Sequence, residues 1–201
     1  MESLLTSEKM QTLLQVMANS GIERAANGLS EMIRQRIVMT VPTVSVVPIS
    51  SVPERVGGPE NMVVGIYLAA EGDLSGHVML ILNYQDALAL VDLLLEQPEG
   101  TTTTLDPLAR SALAEAGNLA ASFFLNGVAA ALGLSGRPTP PAVIVDMAGA
   151  ILDIMLITAG QLGDEVLLLE SVFQRAERQL KLYFWVLPDL LPLRSLTGES
   201  N

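Results

Sequence analysis

Residues 106–133 read DPLARSALAEAGNLAASFFLNGVAAALG, and they decide the fold because they predict a long helix with two different faces. Asp106 followed by Pro107 is a strong helix start. The Asp side chain can accept a free backbone N–H, and Pro has no N–H that would go unsatisfied there. Gly133 supplies a C-terminal stop because glycine readily adopts the left-handed conformation.

One face of this predicted helix is polar. An α-helix turns by about 100° per residue, so Ser111, Glu115 and Asn118 share a stripe that Ser122 and Asn126 continue. The opposite face is apolar and is predicted to pack; it comprises Leu108, Ala112, Leu113, Ala116, Leu119, Ala120, Phe123 and Gly127. Every amphipathic helix has a polar face, so the stripe alone is more typical of solvent exposure than of a functional site.

The composition limits the classes of function. The chain has 201 residues, of which 50% are hydrophobic and 16% charged, as expected of a single globular domain with a sizeable core. A net charge of −11 argues against a nucleic-acid partner and against binding to anionic membranes. The absence of cysteine excludes disulfides, thiolate metal sites and a cysteine nucleophile. No signal peptide or membrane-length apolar run is visible, so a cytoplasmic location is expected.

The remaining periodicities predict further helices and strands. Ser7 is a suitable N-cap for a helix that continues to about residue 35. Asp146 is predicted to cap a helix over 146–158, and 137–141 is read as a break. The other predicted helix covers 84–95, and 188–201 is read as a loose tail. Strands are predicted over 37–47 with an interruption at Pro42, and over 62–70, 76–82, 142–145, 165–174 and 179–187.

The chain contains an internal repeat with an offset of 99 residues, which relates Asn19 to Asn118 and Pro42 to Pro141. In each half, about 7–96 and 105–188, a long helix leads into a strand marked by proline, and a hairpin follows. This order predicts an α+β fold in which two pseudo-symmetric halves form a common, antiparallel-rich sheet with the helices packed on it.

The spacing of Ser111, Glu115, Asn118 and Pro141 resembles the signature of the CheC, CheX and FliY group of chemotaxis phosphatases. The blocks 115–126, 146–153 and 71–77 also look like CheC, and the resemblance extends from about residue 10 to 188. No segment similar to FliN follows, which favours CheC over FliY as the more similar member.

The resemblance implies dephosphorylation of CheY, a response regulator that carries an aspartyl phosphate. The family is proposed to supply an Asn and a Glu, while Mg²⁺ and phosphate belong to CheY, so no intrinsic cofactor is expected. Asn118 would hold the attacking water, a task that a Gln performs in GTPases. Glu115 would pair with a Lys beside the phosphorylated Asp. Ser111 would support the site, and Pro141 would shape the strand beside the helix.

The first half departs from this signature. Val16 takes the place of Glu115, and Thr12 the place of Ser111, so one working centre is predicted. Asn19 is either a residual polar position on a packed helix or a weak binding residue, and the first interpretation is favoured. A second function stays open: a module that binds phosphorylated CheY or regulates the receptor deamidase CheD with little catalysis. A monomer is expected because the two halves can complete one sheet.

Other candidate residues carry weaker signals. His77 has no second His or carboxylate cluster nearby in sequence, so it is read as a surface or hairpin residue. Asp146 and Asp153 flank a predicted helix start, which favours capping over metal binding. Neither a phosphate-binding glycine loop nor a Ser/His/Asp arrangement is apparent.

Overall fold

The computed structural model describes residues 7–158, 165–175 and 178–189, together with residues 193 and 195. Its helices are α1 (Glu8–Met32), α2 (Tyr84–Leu94), α3 (Pro107–Leu132) and α4 (Ala148–Thr158). Its strands are β1 (Ile37–Met39), β2 (Thr43–Pro48), β3 (Met62–Gly72), β4 (Gly76–Asn83), β5 (Gly136–Pro138), β6 (Ala142–Met147), β7 (Glu165–Arg175) and β8 (Arg178–Pro188). Two short 3-10 turns, Ile49–Ser51 and Pro53–Val56, connect β2 to β3.

Both long helices begin at the predicted capping residues. The Asp106 carboxylate accepts the backbone N–H of Ala109 at 2.8 Å, and the Ser7 hydroxyl accepts that of Met10 at 3.4 Å. Helix α3 ends at Gly133, whose φ of 69° lies in the left-handed region. The boundaries of these helices therefore follow from local capping.

The strands form one antiparallel sheet in the order β1–β7–β8–β4–β3–β5, with β2 also pairing with β7 and β6 with β3. The first two strands of each half thus pair with a strand of the other half. When each strand is replaced by its counterpart in the other half, the same strand order is obtained in reverse. The register of the strand pairs shows the same symmetry. Val64 of β3 pairs with Val145, and its counterpart Leu167 of β7 pairs with Val46. The predicted fold of two pseudo-symmetric halves around a common sheet is confirmed.

Both faces of the sheet are covered. Helices α1, α2 and α3 pack on one face, where Phe124 of α3 lies 5.6 Å from Phe184 of β8 between ring centroids. Helix α4 and the 3-10 turns cover a smaller core on the other face, around Ile151 and Trp185. Coverage on both sides explains why β3 and β4 are nearly continuous apolar runs.

Helices α1 and α3 touch backbone to backbone. A Cβ on Gly127 would lie 2.4 Å from the carbonyl oxygen of Ser20, and one on Gly21 would lie 2.5 Å from the ring of Phe124. Such close approach requires glycine at both positions. The two outer helices therefore pack closely together as one layer above the sheet.

Three predictions about local structure were wrong. Asp146 does not cap α4, because β6 stays paired with β3 through Met147, and the Asp146 carboxylate accepts the N–H of Met147 at 2.7 Å. Leu108 is 60% exposed, because the first turn of α3 buries Ala109 instead. The predicted break at 137–141 contains β5, which forms a short edge pair with β3 where Pro138 is tolerated.

The predicted loose tail over 188–201 is wrong at three described positions. Pro188 is the last residue of β8, residues 193 and 195 are helical, and Leu193 is only 2% exposed. Most of the other tail residues lie outside the described part of the chain. Within that part, no helix has both the length and the apolar content needed to cross a membrane.

Candidate functional site

The polar stripe of α3 faces outwards. Ser111 and Glu115 are exposed, and Asn118 is half-buried. Within the described residues, neither the Glu115 carboxylate nor the Asn118 carboxamide has a hydrogen-bond or ion-pair partner. A carboxamide offers both donors and an acceptor, and a carboxylate offers acceptors and charge. Both groups are therefore available to a molecule that approaches α3 from outside.

Gly117 fixes the height of this stripe above the sheet. A Cβ at this position would lie 2.4 Å from Cγ2 of Ile66 in β3, so the helix can lie this close only with glycine. Ala116 and Gly117 are both buried, directly between Glu115 and Asn118 in sequence. The polar stripe is thus backed by tight packing of the helix against the sheet.

Pro141 lies in the connection between β5 and β6, and it is half-buried. Just before it, the Thr139 backbone N–H donates to the carbonyl of Ala69 at 2.8 Å, and the Thr139 hydroxyl accepts the Ala69 N–H at 3.0 Å. Arg110 of α3 donates to the Val143 carbonyl of β6 at 3.4 Å. The proline segment is therefore tied to the sheet and connected to the first turn of α3.

The corresponding face of α1 is different. Val16 is half-buried, and Asn19 is exposed, but its Oδ1 accepts a hydrogen bond from Nε2 of Gln15 at 3.0 Å. The Thr12 hydroxyl donates to the carbonyl of Glu8 at 2.8 Å, inside the same helix. The polar groups that remain in this half are therefore bonded to their own helix.

Pro42 is buried, whereas its counterpart Pro141 is half-buried.

Two further residues matter here that the sequence analysis did not single out, Gln15 and Gly117. The spacing of Gln15 and Asn19 by four residues was a signal for their bond, since such pairs meet on a helix surface.

The chain's one histidine lies away from these helices, on β4. His77 Nδ1 is 2.7 Å from the hydroxyl of Tyr67 on β3, and it is half-buried. Burial lowers the pKa of His77, and the nearby Asp189 opposes this shift. Among the described residues, no group of three or more His, Asp and Glu side chains is placed to hold a metal ion.

Known proteins are similar to this chain over most of its length. CheY-P phosphatase CheC of Bacillus subtilis is 28% identical over 186 residues, which cover 90% of this chain and 89% of that protein. No protein-family model matches the chain.

Solved structures share the fold. The crystal structure of FliY from Thermotoga maritima has a TM-score of 0.75 at 20% identity, covering 96% of this chain and 98% of that one. A CheX–CheY–BeF3–Mg²⁺ complex from Borrelia burgdorferi has a TM-score of 0.57 at 15% identity, covering 85% of this chain and 96% of that one.

Two long outer helices over a shared antiparallel sheet make this a CheC-like fold. The prediction made from the motifs is confirmed. The chain is similar in sequence to CheC and shares its fold with FliY and CheX structures.

Proposed function

We propose that this protein is a phosphatase that removes the aspartyl phosphate from a CheY-like receiver. One observation carries the proposal: Glu115 and Asn118 project from the same anchored helix and have no partner within the described residues. The CheY-P phosphatase activity named for the similar Bacillus subtilis protein supports the same substrate. The CheX–CheY complex with the same fold supports a receiver as the partner.

Asn118 is proposed to orient the water that attacks the phosphorus. The carboxamide oxygen accepts a hydrogen bond from the water, which directs a lone pair of the water oxygen towards phosphorus. The new P–O bond forms as the bond from phosphorus to the aspartate oxygen breaks. The aspartate leaves as a carboxylate, and the water oxygen with its two protons becomes part of inorganic phosphate, H2PO4−. Asn118 gains and loses no proton, so its contribution is positional.

Glu115 is proposed to set the docking register by pairing with a Lys of the receiver. Glu115 is exposed on the helix surface, and complementary charge between it and the receiver favours the correct partner. The Mg²⁺ of the reaction is assigned to the receiver in this proposal. Ser111, one helical turn before Glu115, and Pro141 are assigned supporting roles.

The direct test follows the loss of phosphate from a receiver. CheY of the same organism is phosphorylated with acetyl phosphate, and the decay is measured with and without this protein. We expect Asn118→Ala to slow the accelerated decay by about 100-fold, because a positioning group is lost. Asn126→Ala is the matched control, since it removes the same side chain about two turns further along α3 and should leave the rate unchanged.

The test for Glu115 uses Glu115→Gln, which keeps the shape and removes the charge. We expect weaker receiver binding and a smaller dependence of binding on salt, because screening acts on the charged pair.

Full phosphatase rate in Asn118→Ala, with an intact fold by circular dichroism, would rule out the catalytic assignment of Asn118.

A second function is a module that binds phosphorylated CheY or engages CheD with little catalysis. The hydrogen bond that occupies Asn19 and the absence of a carboxylate at Val16 favour this alternative for the first half. The decay assay separates the two functions: binding of the phosphorylated receiver without faster decay would select the module.

A further inference from the structure

Leu108 lies in line with the polar stripe of α3, nearer the start of the helix. It comes seven residues before Glu115, so the two side chains point within about 20° of one another around the helix axis and lie about 10 Å apart along it. Leu108 is 60% exposed, and among the described residues it is the only exposed large hydrophobic side chain on α1, α2 or α3. A single exposed leucine is common on protein surfaces, so its setting decides whether it has a role.

The first turn of α3 is tied to the rest of the fold on both sides of Leu108. The carboxylate of Asp106 accepts the backbone N–H of Ala109 at 2.8 Å, and Ala109 is buried. Nη1 of Arg110 donates to the Val143 carbonyl of β6 at 3.4 Å. The backbone that carries Leu108 therefore already has its helical conformation, and a partner that covers the side chain need not order this turn.

The fold itself does not require an apolar residue at this position. The repeat offset of 99 residues relates Leu108 to Lys9, and each is the exposed second residue of its helix. Leu113 and Leu14 correspond in the same way, and both are fully buried. The two halves thus keep leucine where the helix packs on the sheet, and only α3 has leucine where this turn meets solvent. This difference indicates that the leucine at 108 serves a contact outside the fold.

Resting on the function proposed above, we propose that Leu108 is an apolar contact by which a CheY-like receiver docks on α3. Glu115 lies between Leu108 and Asn118 along the helix. Even a small transient interface, of about 600 Å² on each partner, has a radius of about 14 Å, which exceeds the spacing of about 10 Å between Glu115 and Leu108. A receiver that pairs with Glu115 therefore covers Leu108 as well. Leu108 lies about 15 Å from Asn118 along the axis, so it contributes to binding and does not touch the reacting atoms.

This assignment specifies a feature of the receiver surface. The side chain of leucine has no polar atom, so its complement is an apolar depression about 10 Å from the Lys that pairs with Glu115. A receiver with a charged side chain at that point would have to desolvate the charge against Leu108, which disfavours binding. Leu108 thus selects among receivers that share the same phosphorylation chemistry.

The experiment measures binding and catalysis separately, with the full chain and CheY of the same organism. KM and kcat are determined for the decay of phosphorylated CheY, and Kd for beryllofluoride-loaded CheY, which mimics the phosphorylated form. Leu108→Gln keeps a side chain of similar size and removes its apolar character. We expect this variant to raise KM and Kd at least about tenfold, with kcat within about twofold of the wild type, because burial of a leucine contributes at least this factor to binding.

Two further variants serve as controls. Leu108→Met provides an apolar side chain of nearly equal volume, and its KM and Kd should stay within about twofold of the wild type. Val41→Thr is an isosteric change of another exposed apolar residue, 81% exposed between β1 and β2 at the opposite edge of the sheet, and it should change neither KM nor Kd. Because both positions are exposed, thermal unfolding should be unchanged in all three variants.

The outcomes distinguish this inference from the proposed function. If the wild type accelerates decay and Leu108→Gln keeps the wild-type KM and Kd, or lowers kcat alone, the docking role of Leu108 is ruled out and the proposed function stands. If the wild type binds beryllofluoride-loaded CheY without accelerating decay, the proposed phosphatase function fails, and Kd alone decides this inference. A loss of affinity of about tenfold in Leu108→Gln then supports the docking contact, and an unchanged Kd overturns it. An equal loss in Val41→Thr would also overturn it, as would a wild type that does not bind CheY.

Discussion

Replacing Gly117 by Ala tests whether the distance between α3 and the sheet sets the position of Asn118. The added Cβ would lie 2.4 Å from Cγ2 and 3.3 Å from Cβ of Ile66, which is fully buried in β3. Ordinary contacts begin at 3.4 Å, so helix and strand must separate by about 1 Å. Ile66 cannot rotate away cheaply, because its branched Cβ restricts χ1.

The size of the effect follows from two opposing terms. Overpacking of a core lowers the free energy of unfolding by about 1–3 kcal/mol, whereas replacing Gly by Ala inside a helix raises it by about 1 kcal/mol. We expect a net loss of about 1 kcal/mol, which lowers Tm by about 2–4 °C in a chain of this length. Activity falls further, by about 100-fold, because a displacement of 1 Å is large for a group that positions water.

Thermal unfolding and receiver decay are measured for Gly117→Ala, Ile66→Ala and the double variant. Ile66→Ala removes the atom that the new methyl group would meet, so the double variant should recover part of the lost rate relative to Gly117→Ala. Ile66→Ala alone controls for the cavity that this truncation creates. A Gly117→Ala protein that unfolds no earlier than the wild type and keeps its full rate would refute the reasoning.

Two predictions concern stability and pH. Burial raises the pKa of Asp92, but hydrogen bonds from Thr102 and from the backbone of residues 100–102 outweigh burial and hold this pKa below its usual range. Its contribution to stability is therefore present above about pH 4 and lost as the pH falls through the folded-state pKa. Asp92→Asn should lower Tm by about 4–8 °C at pH 7 and by much less at pH 3; a loss independent of pH would contradict this. Burial lowers the pKa of His77 below 6.5 despite Asp189, so folding favours the neutral ring and stability declines as the pH falls below that value. Comparing Tm of the wild type and His77→Gln at pH 5 and pH 8 should show a smaller pH effect in the variant, and equal effects would contradict the prediction.

Features set by neighbouring residues were predictable from the sequence. Asp106, Pro107 and Gly133 indicated where α3 begins and ends. The repeat offset placed Asn19 on α1, which corresponds to α3, and Pro42 before β2, which corresponds to β6. Asp146 was misassigned because a helix cap and the last residues of a strand are both compatible with Asp, and pairing with β3 decides between them. That pairing joins residues that are far apart in sequence, where local preference carries little information.

The site itself was only partly predictable. Glu115 and Asn118 could be placed on one face by helical spacing alone. The role of Gly117 depends on Ile66 in a distant strand, which no pattern within the helix indicates. The bond between Gln15 and Asn19 joins residues one turn apart, so their spacing could predict it. Its relevance to function is seen only in the structure, where Asn118 has no such bond within the described residues.

The exchange of strands between the halves bears on how the chain could have arisen. In the described structure, β1 and β2 of the first half pair with β7, and β5 and β6 of the second half pair with β3. A half expressed alone would leave these strands unpaired, and the simplest remedy is association with an identical copy about a twofold axis. Fusion of two such copies joins the paired halves in one chain. The outward faces of α1 and α3 are then encoded separately, so residues on one can change without a change on the other.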